Sequence, residues 1–231
     1  MFQHIRLLVL DLDYLVFDCA VLKAQALQQG LISLADSIPQ NIRLPDAMDA
    51  EEGFRDHGFR WTRHLEIGLD EESLENLQQA YDLNQDRLIE AGVGKMFPGI
   101  QEFIMNCRKA EIGVALGADA SRCYLLSVTE RHQLENLFEI ALCTDEFGVG
   151  SADEMFDEIM HYAEVNSSET LVLGTRPQFF EAAHNLDLLT IGCGWGIHNH
   201  GGLAEADLQS LTLPQLYPTL QKADHLASRY S

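Results

Sequence analysis

Two aspartates one residue apart, Asp11 and Asp13, follow the apolar run Leu7-Leu8-Val9-Leu10. Such a run reads as a buried strand, and while the strand persists its period of two sends both carboxylates to the same side. Like charges held that close need either a bound cation or a retained proton. Both outcomes are chemically useful. A divalent metal can sit between the carboxylates, or one can act as nucleophile while the other serves as general acid/base. The plain alternative is a solvated strand end, so the remaining chain must show whether partners for the pair exist.

The elements that would position them follow from pattern. Residues 17–38 carry Ala20, Val21, Ala24, Leu27, Leu31 and Leu34 at helical recurrence. Pro39 and Pro45 mark a connector, and residues 49–90 are charged and free of β-branched runs, which predicts two or three amphipathic helices. Phe97-Pro98-Gly99 then closes this segment before a helix over 100–109. Beyond it, strands are expected at 112–116, 140–143, 170–173 and 188–193, with helices at 131–138, 152–163, 177–185 and 214–231. Regular alternation of short apolar strands and helices indicates βαβ units. The expected fold is therefore α/β, a doubly wound parallel sheet with a Rossmann-like core (1–17 and 94–231) and an inserted all-helical cap domain (18–93). In such sheets ligands bind at the carboxyl ends of the strands, which gathers Asp11, Asp13, Gly117, Asp145, Gly174 and Gly194 around one crevice.

Composition narrows the function classes. With 231 residues the chain can bury a substantial core, and its formal charge of -21 argues against nucleic acid and against an anionic membrane surface. Five cysteines, Cys19, Cys107, Cys123, Cys143 and Cys193, are scattered with no CxxC pair, the usage expected of reduced thiols in a cytoplasmic protein. No apolar run reaches the 18 residues of a membrane-spanning helix.

The order of these features resembles the haloacid dehalogenase (HAD) superfamily of hydrolases, in the branch with a helical cap that includes phosphoglycolate-phosphatase-like and β-phosphoglucomutase-like proteins. Leu10-Asp11-Leu12-Asp13-Tyr14-Leu15-Val16-Phe17-Asp18 follows the family's opening pattern, and Phe97-Pro98-Gly99 matches its return from cap to core. Leu171-Val172-Leu173-Gly174 has the layout of its last acidic motif, and Ile191-Gly192-Cys193-Gly194-Trp195-Gly196 that of the strand and loop after it. The resemblance implies Asp11 as phosphoryl-accepting nucleophile, Asp13 as general acid/base, and a Mg²⁺ ion held partly by carboxylates.

The supporting residues depart from that pattern. Thr175 and Phe179 stand where the family has metal-binding carboxylates, Gly117-Ala118 where it has a phosphate-binding Ser or Thr, and Gly150 where it has a lysine. The four lysines are Lys23, Lys95, Lys109 and Lys222, so none lies between 110 and 221. Tyr14 and Leu15 replace the glycine and threonine beside the nucleophile. Losing one preorganised electrostatic donor commonly costs about 10²–10³ in rate, so these losses together predict inactivity or strong impairment and a binding or regulatory role. The alternative is an active Mg²⁺-dependent phosphomonoester phosphatase with relocated ligands. Asp145 is then the expected third metal carboxylate beside Asp11 and Asp13, with Asp119, Glu146 and Asp153 as further oxygen donors. Arg122 or Arg176 would supply the missing positive charge.

Two further constellations stand out. On the helix predicted around 54–65, His57, Arg60, Arg63 and His64 form a basic stripe suited to an anion, either phosphate or carboxylate. Arg60, Arg63, His64, Gly117 and Arg176 are accordingly the expected substrate contacts, for a small phosphorylated or anionic metabolite; a protein partner is the other expectation. His198-Asn199-His200, after a glycine-rich turn, lacks a zinc spacing and reads as a surface loop.

Overall fold

The structure, a computed structural model, describes residues 3–34, 69–147, 152–198 and 200–228. By its contacts the chain divides into two compact units, Met1–Asp18 with Met96–Ser231, and Cys19–Lys95. In chain order the elements used below are β1 (Leu7–Asp11), α1 (Ala20–Ser33), α2 (Glu71–Glu90), α3 (Ile100–Lys109), β2 (Gly113–Ala118), α4 (Arg122–Arg131), β3 (Ala141–Cys143), α5 (Ala152–Ala163), β4 (Thr170–Gly174), α6 (Pro177–His184), β5 (Leu189–Cys193), β6 (Leu208–Ser210) and α7 (Leu213–Ala227).

The larger unit is built on a six-stranded parallel sheet in the order β3-β2-β1-β4-β5-β6. β1 lies between β2 and β4, with Leu10 level with Leu116 on one side and Leu173 on the other. All five of its residues are buried, as a strand covered on both faces requires. One face packs Leu7, Val9, Ala115 and Val172 against Phe156, Ile159, Phe179 and Ala183 of α5 and α6. Phe156 and Phe179 meet edge to face with centroids 4.8 Å apart. Fully burying such a side chain contributes about 1.5–3 kcal/mol, so this layer anchors α6, and with it Arg176, under the sheet end.

Most predicted elements of this unit are present within a residue or two. The helix expected over 131–138 is a correction: the helix runs from Arg122 to Arg131 instead. Ser121 caps its start by accepting the Tyr124 N–H at 3.2 Å. Gln133, at φ 55°, breaks the helix before Leu134 and Leu137, whose apolar spacing suggested otherwise. β6 went unseen in the sequence because Leu208-Gln209-Ser210 is three residues long and mixed in polarity.

The smaller unit, among the described residues, is a helix pair. α2 begins at Asp70, whose carboxylate accepts the Ser73 N–H at 2.8 Å, with Glu71 and Glu72 in the first turn. It packs closely on α1 at Gly30, where a Cβ would lie 3.3 Å from Leu77 and 3.5 Å from the Tyr81 backbone nitrogen.

Candidate functional site

β1 ends at Asp11, and the chain folds back at once. The Leu12 N–H donates to the Gly117 carbonyl at 3.0 Å, those of Val16 and Phe17 to Leu12, and that of Tyr14 to Phe17 at 2.9 Å. Asp13 thus lies past the strand, in a tight loop rather than on the shared strand face that its spacing suggested. Tyr14 sits in the left-handed region at φ 63°, a backbone conformation in which glycine is at ease; this accounts for the glycine that the resembling pattern carries there. A second loop clamps the first. The Trp195 indole donates to the Leu15 carbonyl at 3.0 Å, and a Cβ at Gly196 would collide with the Tyr14 carbonyl.

Both carboxylates are inaccessible, at 0% exposure for Asp11 and 3% for Asp13, and both meet side-chain donors of the protein. Arg176 brings its guanidinium onto Asp11: Nη2 is 3.2 Å from each carboxylate oxygen and Nε is 3.3 Å from Oδ2. Its Nη1 donates to Asp119 at 2.9 Å, and the other Asp119 oxygen accepts from the Thr144 hydroxyl at 3.1 Å. The ends of β1, β2, β3 and β4 are thereby laced together through one arginine. The Tyr124 hydroxyl donates to Asp13 at 2.8 Å.

Burial above all raises the Asp11 carboxyl, Arg176 lowers it and Asp13 and Asp119 raise it, which together leave it pushed up to about 7. Burial alone would lower the Arg176 guanidinium, but Asp11, Asp119 and Asp13 together hold it above its ordinary value. Among the described residues, the carboxyl groups of Asp11, Asp13 and Asp119 all act on this one guanidinium.

The expected site residues are distributed as follows. Asp11, Asp13 and Arg176 come together. Gly117 is level with Asp11, but a Cβ there would meet Met155 at 3.0 Å and Phe179 at 3.3 Å, so its missing side chain serves core packing. Asp145 accepts the Arg122 backbone N–H at 3.2 Å, at the start of α4, and Arg122 pairs through its side chain with Glu146. Arg60, Arg63 and His64 lie outside the described residues. His200 lies within hydrogen-bond distance of the Gly194 and Ile197 carbonyls, a loop-holding role. Tyr124 was missed because its helix starts at Arg122, nine residues before the expected start at 131.

The donor set does not fit a magnesium ion. The Asp11 oxygens are occupied by Arg176, and Thr175 presents a hydroxyl, 4% exposed and without a hydrogen-bond partner, where a carboxylate was expected. Phe179, in the other expected carboxylate position, is a core residue at 2% exposure with the Arg176 guanidinium 5.9 Å from its ring centre. Among the described residues no group of three or more His, Cys, Asp or Glu side chains is arranged to hold a metal, so the expected trio of Asp11, Asp13 and Asp145 does not assemble. The reason is visible in the geometry: Asp145 is engaged at a helix start, and a guanidinium fills the space beside Asp11.

No family model and no curated protein matches the chain. Solved structures do. A haloacid dehalogenase-like hydrolase family protein of Streptococcus pneumoniae superposes with a TM-score of 0.78 at 13% identity, over 94% of this chain and 99% of that one. The fold is that of the HAD-like hydrolases. A predicted phosphoglycolate phosphatase from Haemophilus somnus gives 0.74 at 13% identity, over 96% of this chain and 100% of its own. A hydrolase from Pseudomonas syringae gives 0.71 at 19%, over 95% and 99%. The HAD-like sheet order puts Asp11 on a central strand, at the carboxyl end where such sheets bind ligands. No helix of the described residues is long and apolar enough to cross a membrane.

Proposed function

We propose that this chain is a HAD-like protein of the phosphatase type in which phosphoryl transfer is lost or strongly impaired, and that it acts as a binding or regulatory protein. One observation carries the reading: both oxygens of Asp11 accept from Arg176. A carboxylate must offer a lone pair to phosphorus to act as nucleophile, and here burial raises its proton affinity while a guanidinium covers its oxygens. The residues that would otherwise draw in and stabilise a phosphoryl group are Gly117, Thr175 and Gly150, none of which can supply a positive charge.

Of the two expected partners, a phosphorylated metabolite and a protein, the local charge favours the protein. Among the described residues, Arg176 is already engaged by Asp11 and Asp119, so its guanidinium is not left over to hold a phosphate. The five scattered cysteines, none in a disulfide, accord with a cytoplasmic setting.

The test is hydrolysis of a panel of phosphate monoesters with Mg²⁺, run beside Asp11→Asn. The expected result is a rate indistinguishable between the two proteins. Mg²⁺-dependent turnover that Asp11→Asn abolishes would instead establish Asp11 as nucleophile, with Asp13 as its acid/base partner.

A further inference from the structure

The same site supports a statement about cations, which rests on the reading above and deepens it. We infer that Arg176 is a built-in counter-ion that replaces a divalent metal at the end of β1, so that the site excludes metal as long as the guanidinium is present. The geometry carries this. A guanidinium reaches Asp11 through two nitrogens and Asp119 through a third, which leaves Asp11 no free direction toward an ion on that side. The arginine is also fixed from behind. Pro177 starts α6 directly after it, Phe179 and Phe180 seat that helix in the core at 2% and 0% exposure, and the Arg176 side chain itself is only 24% exposed.

The pairing is a substitution of one cation by another. A divalent ion and a guanidinium both neutralise carboxylates, but the guanidinium does so through directional N–H bonds and cannot polarise water or phosphate as a metal does. Removing it would leave two carboxylates, Asp11 and Asp119, within one guanidinium width of each other, at the sheet end where Thr175, whose buried hydroxyl has no partner, follows β4, the strand paired with β1. One or two carboxylates with water to complete the shell is the usual protein contribution to a Mg²⁺ or Mn²⁺ site. The structure thus holds a latent metal site that its own side chain fills.

The experiment is Mn²⁺ binding followed by electron paramagnetic resonance at pH 8, on the full-length chain and four variants. Because the acidic surface binds Mn²⁺ weakly and non-specifically, the reading is the part that depends on Asp11. Wild type and Asp11→Asn are expected to bind Mn²⁺ alike. Arg176→Ala is expected to gain a site that the double variant Asp11→Asn/Arg176→Ala lacks, and Arg176→Lys, which keeps a cation in place, is expected to gain none. Asp11-dependent binding by wild type overturns the inference, as does a folded Arg176→Ala that gains nothing. If Arg176→Ala does not fold, the wild-type and Asp11→Asn comparison decides alone. The outcome is separable from the functional reading: a wild type with no Asp11-dependent Mn²⁺ binding that yet hydrolyses esters defeats that reading only, and one with Asp11-dependent Mn²⁺ binding but no turnover defeats this inference only.

Discussion

The Tyr124 hydroxyl donates to Asp13 at 2.8 Å although the two residues are 111 positions apart. Tyr124 is held for this contact by the Ser121 cap, which starts α4 at the carboxyl end of β2, and its ring is buried at 3% exposure. Tyr124→Phe keeps the ring and removes one hydrogen-bond donor from the buried Asp13 carboxylate. The expected loss of stability is about 1–3 kcal/mol, read by urea unfolding. A loss below a few tenths of that range would mean that the hydrogen bond is replaced by water at no cost.

A second expectation concerns pH. Asp11 is pushed by burial from an ordinary 3.8 up to about 7 in the folded protein. For an acid whose folded value is raised, the native state binds the extra proton, so the stabilising contribution is complete below about pH 4 and is lost as pH rises through 7. The size is on the order of 4 kcal/mol across that window, from the difference between 3.8 and about 7. Asp11→Asn cannot titrate. Its stability relative to wild type should therefore rise steadily from pH 4 to pH 7 and level off above, whatever constant offset the lost pairing to Arg176 introduces. Parallel pH profiles for the two proteins would show that Asp11 is ionised throughout and that Arg176 outweighs burial.

These two contacts also mark where sequence reading succeeds and where it stops. The sheet was legible because β1 and β4 are short apolar runs ended by Asp11 and Gly174, and β5 is one followed at once by Gly194, the pattern of strands buried on both faces. Asp11 at the end of β1 was legible from the apolar run before it, and Arg176 was visible as the charge next to the missing carboxylate, but the spacing put Asp13 on the strand face and not in the loop past it. That its guanidinium would land on Asp11 was not legible, since it depends on how α6 is seated by Phe179 and Phe180 beneath the strand ends. Tyr124 was lost for a different reason. Leu134, Leu137 and Phe138 repeat at helical spacing, and nothing in that repeat announces the left-handed Gln133 or the Ser121 cap that moves the helix upstream.

The last expectation lies away from the site, where the first strand is tied to the end of the chain. The Asp224 carboxylate on α7 accepts backbone N–H groups from Gln3 at 3.0 and 3.1 Å, His4 at 2.8 Å and Ile5 at 2.9 Å. This is a cap supplied from 219 to 221 residues away, and it fixes the segment that enters β1. Burial pushes the Asp224 carboxyl up, but the N–H groups of Ile5, Gln3 and His4 pull further down and leave it below its ordinary value. A carboxylate with a lowered folded value stabilises above its unfolded value near 4, and that contribution is lost as pH falls through the folded one. Asp224→Ala leaves three backbone donors without their acceptor and should cost about 2–4 kcal/mol at pH 7, with the gap to wild type closing in acid. Hydrogen exchange localises the effect: the amides of His4 and Ile5 should lose protection in Asp224→Ala before those of β4 do. Equal loss in both places would place Asp224 in the global unfolding unit and deny it a local role at the start of β1.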